Sequence, residues 1–152
     1  LEYDAYFTFT VQEEVGLRGA KTAAFAVNPD FAIVCETTTA SDIEGVSGSQ
    51  TVCRLGEGAV ISFMDRSTVY DRELFGAAFE LAEANNIKCQ TKTKIAGGNN
   101  SGAIHISGNG VRTIAVSAPC RYLHSPSCVV NKKDLDSCFE IVKVLLEKMA
   151  AM

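Results

Sequence analysis

The chain has 152 residues, which is enough for one compact domain with a hydrophobic core. Its net charge of −4 and its pI near 5.2 argue against a nucleic-acid partner, because binding to nucleic acid normally requires a basic surface. No apolar stretch approaches the length that spans a bilayer, so the sequence predicts no membrane partner.

The first predicted element is a buried strand. Residues 6–11 are aromatic and β-branched, as is typical of such strands. Glu13 and Glu14 follow it, and two adjacent carboxylates repel one another and raise one another's pKa. A metal ion would relieve this repulsion and leave one carboxylate free to act as a base. A solvated surface is the alternative reading of the pair, and it stays open.

Helix-like and strand-like segments alternate along the rest of the chain. Helices are predicted over residues 17–27, 71–86 and 132–149 with a short one after a loop at 97–102, and strands over 31–35, 58–64, 88–94 (at an edge) and 111–117. Asn131 and Asp134 are predicted to cap the last helix. Apolar strands alternating with amphipathic helices predict a three-layer α/β/α fold with a largely parallel mixed sheet.

Polar residues follow several of the predicted strands. Glu13 and Glu14 follow the first, Glu36 directly follows the second, and His124 lies shortly after a late strand. Ligands bind at the carboxyl ends of parallel strands in such folds, so a site is expected there. Glu14, Glu36 and His124 together suit zinc, cobalt or manganese, and Glu13 could take a proton from metal-activated water. Alternatives remain, because Glu36 could cap a loop and a lone loop histidine is often structural or solvated.

Other polar positions carry less information. Gly97-Gly98 lacks the lysine and the glycine spacing of a phosphate loop, so that function is rejected. Asp65 and Arg66 follow the third predicted strand, and they either bind substrate or pair internally. The six cysteines form no Cys-x-x-Cys pair, which favours buried free thiols and a reducing, cytoplasmic location.

These segments together resemble the catalytic domain of the cytosolic di-metal aminopeptidases, a family that includes glutamyl, deblocking and tetrahedral aminopeptidases. The similarity covers nearly the whole chain, and the motifs occur in the family's order. The matching motifs are residues 11–20 (VQEEVGLRGA), 35–38 (CETT) leading to Asp42, 64–67 (MDRS), 97–98 (GG) with 102–105 (GAIH), and 121–126 (RYLHSP). The first and the last of these are the most specific.

The resemblance implies a zinc-peptidase-like fold, a role as general base for Glu13, and metal ligation by Glu14, Glu36 and His124. The matching motifs also nominate residues for substrate contacts, namely Asp65, Arg66, Gly97, Gly98 and Arg121. The implied reaction removes the N-terminal residue of a peptide substrate with the help of two divalent cations. Family members often form hollow tetrahedral particles, so a homo-oligomer is implied for the intact protein.

Two departures from the family pattern limit what the chain is expected to do. The family's second histidine, its bridging aspartate and its inserted β-rich domain precede the Glu-Glu motif, and this sequence begins at Leu1. We therefore expect residues 1–152 to be the C-terminal portion of a catalytic domain, inactive in isolation and with at most one partial metal site. The family also usually carries an aspartate in the loop where this chain has Asn99-Asn100.

Three other classes of function are alternatives, and the last of them is disfavoured. The chain could serve only in assembly, or it could belong to a pseudoenzyme. A related metal-dependent deacylase would share the base and the ligands but act on an N-acyl group. A hydrolase of the kind labelled endoglucanase is disfavoured, because glycoside hydrolysis uses two carboxyls across a sugar without a metal, and the chain has no tryptophan.

Overall fold

A mixed sheet is the centre of the computed structural model, which describes residues 3–152. Its strands are Phe31–Thr39 (β1), Ala59–Ile61 (β2), Cys89–Thr91 (β3), Arg112–Arg121 (β4) and Val129–Val130 (β5). β1 pairs with β4, and β2 with β3, in parallel, whereas β4 runs antiparallel to β2 and to β5. The order β1-β4-β2-β3 puts β3 at an edge, which confirms the sequence prediction.

Helices cover both faces of this sheet. They are Arg18–Val27 (α1), Arg72–Ala84 (α2), Ser101–Ile104 (α3) and Lys132–Met149 (α4). α2 and α4 pack together on the sheet face that carries Ile114 and Val116, where the main hydrophobic core lies. α1 packs on α3, and α3 contacts β4. The predicted three-layer α/β/α arrangement is confirmed, and no helix among residues 3–152 is long and apolar enough to cross a membrane.

Residues 6–11 are not a strand, so that prediction is wrong. The segment has no regular secondary structure, and its aromatic side chains face solvent, with Phe9 98% exposed. It ends where the carbonyl of Val11 accepts the N–H of Gly19 at 3.0 Å. A strand needs a neighbouring strand for its backbone hydrogen bonds, and none in the described part of the chain pairs with this segment.

β1 and β4 are both longer than predicted. β1 continues to Thr39, so Glu36 lies within the strand rather than directly after it. β4 continues to Arg121, and its last residues pair with residues 37–39 of β1. The two strands extend one another because each supplies the other's hydrogen-bond partners, and the β-branched threonines at 37–39 favour extended backbone.

The N-terminus of α4 confirms one predicted cap and corrects the other. The side chain of Asn131 accepts the N–H of Lys133 at 2.9 Å, as a capping residue does. Asp134 is buried, and its carboxylate instead accepts the N–H groups of Gly56 at 2.7 Å and Gly58 at 2.9 Å. The prediction that Asp134 caps the helix is therefore wrong, because its side chain binds a neighbouring loop.

The cysteines are only partly as expected. All six are free, as predicted, and Cys53 and Cys120 are buried. Cys35 and Cys128 are exposed, so the prediction of buried thiols is wrong for these two. Cys35 lies on β1 at an edge of the sheet, and Cys128 lies in the loop before β5.

Candidate active site

Glu13 and Glu14 lie in the turn that leads into α1. The carbonyl of Glu13 accepts the N–H groups of Gly16 at 3.2 Å and Leu17 at 3.0 Å. Gly16 has a φ of 113° and Leu17 a φ of 56°, so the turn uses left-handed backbone. Both carboxylates precede the helix at its N-terminal end, where the helix dipole favours negative charge.

His124 reaches Glu14 from the other end of the sequence. It lies in the turn after β4 with a φ of 63°, and its Nε2 is 2.9 Å from Oε1 of Glu14. The side chains of His124 and Glu14 are 68% and 73% exposed. The contact joins residues 110 positions apart, so it is produced by the fold and not by local sequence.

Glu36 faces the same layer as this pair. Side chains alternate along a strand, and because Ile33 packs against the α2–α4 core, Glu36 lies on the opposite face. The side-chain amide of Asn100, at the start of α3, is 3.5 Å from Oε1 of Glu36 and 3.3 Å from Oγ1 of Thr10. Asn100 therefore links Glu36 to the segment that leads into the Glu13–Glu14 turn.

The carboxylates of the site perturb one another. Burial raises the pKa of Glu13 above its usual value, the charge of Glu14 raises it further, and His124 opposes both. Burial and the charge of Glu13 raise the pKa of Glu36, a hydrogen bond from the backbone of Asn100 lowers it, and Glu14 raises it slightly. Negative charge is thus concentrated here, as is common at functional sites.

The donor atoms at these positions suit a divalent transition metal in type. Glu14 and Glu36 offer carboxylate oxygens, and His124 offers an imidazole nitrogen. Two of the three are brought into contact, since Glu14 and His124 touch. Within residues 3–152, no group of three or more histidine, cysteine, aspartate or glutamate side chains is placed to hold a metal ion. Glu36 therefore faces the pair without completing a three-ligand site.

Arg121 lies at the start of the loop that carries His124, and Asp42 binds its side chain. Its Nε and Nη2 donate to the two carboxylate oxygens of Asp42, each at 2.8 Å. The N–H of Leu55 donates to the same carboxylate at 2.9 Å. This bidentate pair joins the end of β4 to the loop after β1, and it fixes the direction in which the His124 loop leaves the sheet.

Asp65 is buried and binds within the protein. Its Oδ1 accepts the N–H groups of Ser67 at 2.8 Å and Thr68 at 2.9 Å, and its Oδ2 accepts the hydroxyl of Tyr70. Of the two possibilities that the sequence leaves for Asp65, internal pairing is the one that the structure shows.

The other candidate substrate residues form one surface patch beside Asp65. The N–H of Arg66 donates to the carbonyl of Gly97 at 2.9 Å, and the Arg66 side chain is exposed. A Cβ atom on Gly98 would lie 3.0 Å from Oγ of Ser67, so the glycine permits close packing of the two loops. We call Arg66, Gly97 and Gly98 the glycine-loop patch.

Sequence reasoning misses two residues that organise the site. Asn100 appears there only as a departure from an expected aspartate, and Asp42 only as the end of a motif. The partners of both are distant in sequence, since Asn100 and Glu36 are 64 positions apart and Asp42 and Arg121 are 79 apart. Arg121, the first residue of the 121–126 motif, is the one signal in the sequence that a carboxylate partner is needed.

Most of the chain matches one family of known proteins. A family model described as M42 glutamyl aminopeptidase matches residues 1–141. The chain belongs to this family. Membership in M42 confirms the resemblance drawn from the sequence motifs.

Individual proteins that are similar to the chain agree with this assignment. A putative aminopeptidase of Acetivibrio thermocellus is 41% identical over 144 residues, which are 95% of this chain and 42% of that protein. An aminopeptidase from the archaeon Desulfurococcus kamchatkensis aligns with a TM-score of 0.85 and 36% identity, over 88% of this chain and 38% of that one. The TET1 peptidase of Pyrococcus horikoshii aligns with a TM-score of 0.75 and 32% identity, over 90% of this chain and 39% of that one. The chain thus spans less than half the length of the relatives that it matches.

Proposed function

We propose that this chain is the C-terminal part of the catalytic domain of a metal-dependent aminopeptidase. Glu13 is its general base, and Glu14, Glu36 and His124 bind a divalent cation, with zinc, cobalt and manganese as the candidates. The observation that carries the proposal is the 2.9 Å contact between Glu14 and His124, beside two carboxylates of raised pKa. The relatives' names as aminopeptidases support the reaction class.

The two adjacent glutamates have different environments, which supports different roles. Glu14 is exposed and touches His124, as two ligands of one cation would. Glu13 has a pKa raised chiefly by burial, which brings it nearer to neutrality and makes it a better proton acceptor. Glu13 would take a proton from the attacking water and deliver it to the leaving amine. The cation, when bound, supplies Lewis-acid polarisation of the scissile carbonyl.

The peptide substrate would lie along the glycine-loop patch. Gly97 and Gly98 expose backbone without side chains, and Arg66 offers a guanidinium to a peptide carbonyl or carboxylate. Arg121 acts on the substrate only indirectly. Asp42 already binds its guanidinium, and the pair positions the His124 loop.

The assembly proposed for the intact protein is a homo-oligomer in the cytoplasm. The P. horikoshii TET1 peptidase assembles into a tetrahedron or a large octahedral shell. In this chain, Phe25 and Ile106 expose apolar surface on the α1–α3 layer, beside a cavity of about 580 Å³. An interface that covers this surface would remove it from water.

Cobalt binding to the 152-residue chain tests the ligand set. We expect one weak Co²⁺ site with visible absorption, and we expect Glu14→Gln and His124→Ala to lose it. His105→Ala is the matched control, because His105 is the other histidine of the chain and its Nδ1 contacts the carbonyl of Ser101. An equal loss in the His105 variant would contradict the assignment of His124.

A chimaera tests the reaction. Residues 1–152 would replace the matching part of the A. thermocellus relative, and the product would be assayed with aminoacyl and N-acyl substrates. We expect cation-dependent cleavage of aminoacyl substrates only, with kcat about 10²–10⁴-fold lower in Glu13→Gln. Glu44→Gln, an exposed glutamate outside the site, serves as the control. Cleavage of N-acyl substrates alone would favour a deacylase, and a folded, cation-loaded but inert chimaera would favour a non-catalytic module.

A further inference from the structure

Cys120 and Cys128 flank the loop that carries His124. β4 and β5 pair antiparallel with Cys120 opposite Val130. Side chains two positions apart on a strand share a face, so Cys128, just before β5, lies on the same face as Val130 and Cys120. The two cysteines are therefore diagonal neighbours across the ladder, for which the Cα atoms are about 7–8 Å apart.

The two thiols are close but differ in exposure. Cys120 has no exposed surface, whereas Cys128 is exposed, and both are free. Burial raises the pKa of the Cys120 thiol, and a hydrogen bond and charge from Cys128 raise it further. One thiol is thus accessible to a reagent in solution, and the other is held beside it.

We propose that Cys120 and Cys128 are an oxidation site, at which a peroxide converts the two thiols to a disulfide that closes the His124 loop. The exposed Cys128 thiolate attacks the O–O bond, which breaks to give a sulfenic acid and, after protonation, water. The Cys120 thiolate then attacks the Cys128 sulfur, and the hydroxide that leaves takes up a proton. In sum, two thiols and one hydrogen peroxide give one disulfide and two waters.

The disulfide would shift the loop between the two cysteines. Bridged cysteines have Cα atoms usually about 4.4–6.8 Å apart, so closure draws the start of β5 about 1 Å closer to β4. Tyr122 and His124 within this loop have φ values of 61° and 63°, so the chain turns tightly between its two ends. The 2.9 Å contact of His124 with Glu14 depends on this turn. Oxidation therefore disturbs that contact. We also expect the oxidised chain to bind a cation less tightly, and this consequence alone rests on the proposed function.

Peptide mapping of the oxidised 152-residue chain tests the disulfide itself. Trypsin cleaves after Arg121 and puts the two cysteines on separate peptides, residues 113–121 and 122–132. After reduction, removal of the reductant and treatment with hydrogen peroxide, we expect these peptides to be linked and two of the six thiols to be lost. Cys128→Ser should abolish the link, whereas Cys35→Ser, which removes the other exposed thiol, should leave it intact.

Two results of the mapping would overturn the proposal. One is a link between Cys35 and Cys138 in place of the expected one, because the charge of Cys35 also raises the pKa of the Cys138 thiol. The other is sulfinic acid at Cys128 without any linked peptide, which would show that Cys120 does not reach it.

The loop shift is measured without any cation. On oxidation, the imidazole NMR signals of His124 should move and those of His105 should not, and unmoved His124 signals in the bridged chain would overturn the loop shift. In Co²⁺ titrations we expect oxidation to weaken binding about tenfold in the wild type and not in Cys128→Ser. A reduced chain that binds no Co²⁺ counts against the proposed function alone, since the linked peptides and the NMR shifts do not depend on it.

Discussion

Asn100 contacts Glu36 through its side chain. The side-chain amide is 3.5 Å from the carboxylate, and the backbone hydrogen bond lowers a pKa that burial and Glu13 raise. The family resemblance of the sequence predicts an aspartate in this loop, where the chain has Asn99-Asn100. A neutral amide at this position donates to Glu36 instead of repelling it, which stabilises the site in the absence of a cation.

Asn100→Asp should therefore destabilise the cation-free chain at neutral pH by about 1 kcal/mol, because it adds a carboxylate next to Glu36. Urea unfolding measures the change, and saturating Co²⁺ should reduce it. Asn109→Asp, on the exposed loop before β4, is the control and should change little. Equal destabilisation by both substitutions would show that proximity to Glu36 is not the cause.

Asp42 makes the free energy of unfolding of the chain depend on pH in the acid range. The hydrogen bonds from Arg121 are the largest cause that holds the pKa of Asp42 below its usual value. A group whose pKa is lower in the folded state stabilises the fold fully above its unfolded pKa of about 4, and this stabilisation is lost as pH falls through the lower folded value. Asp42→Asn should therefore flatten the acid side of the stability curve in urea unfolding. Asp136→Asn, an exposed partner of Lys132, should leave the curve as in the wild type.

At the scale of elements, local signals predict helix ends well, whereas distant partners decide the strands. α1 ends at Asn28-Pro29, and α4 begins after Asn131, both of which are readable from the sequence. β5 has two residues, too few for a pattern, and forms only because β4 extends far enough to pair with it. The stop of β1 at Thr39 likewise depends on β4, which lies much later in the chain.

Asp134 fixes α4 to the loop before β2, and its removal should be costly. Asp134→Ala leaves two N–H groups, those of Gly56 and Gly58, without their acceptor, so we expect a loss of about 2–4 kcal/mol in the free energy of unfolding. Asp136→Ala is the matched control on the same helix, with an exposed ion pair to Lys132. We expect it to cost under about 0.5 kcal/mol. Similar losses from the two variants would mean that burial of Asp134 is not what matters.

For the whole molecule, the sequence predicts which residue types make the site but not how they are held. Glu14 and His124 are predicted ligands that the fold brings into contact. The residues that place them could not be found from local pattern, because Asp42 and Asn100 act on partners in other elements. The strand predicted at residues 6–11 fails for the same reason, since pairing is a property of neighbours and not of composition.

The exposed aromatic segment should contribute little to the stability of this chain. Phe7 and Phe9 face solvent, so replacing both with serine should change the free energy of unfolding by less than about 0.5 kcal/mol. The same variant should bind less of an apolar dye and stay soluble at higher concentration. Phe79→Ser, which removes a ring packed on the α2–α4 core, should instead cost at least about 2 kcal/mol. A large loss from the double variant would show that the segment packs on the fold in solution.

Many hydrogen bonds of the fold join residues that are far apart in the sequence, and this affects how the chain folds during its synthesis. β1 is complete at Thr39, but β4, which gives it its hydrogen bonds, begins only at Arg112. Asp134 then reaches back 78 and 76 positions to bind Gly56 and Gly58. A ribosome releases the chain from its N-terminus, so apolar β1 emerges long before its partners exist. We expect β1 to lack this strand partner on the nascent chain until β4 has been made, and the chain to fold more slowly than a helical bundle of equal length.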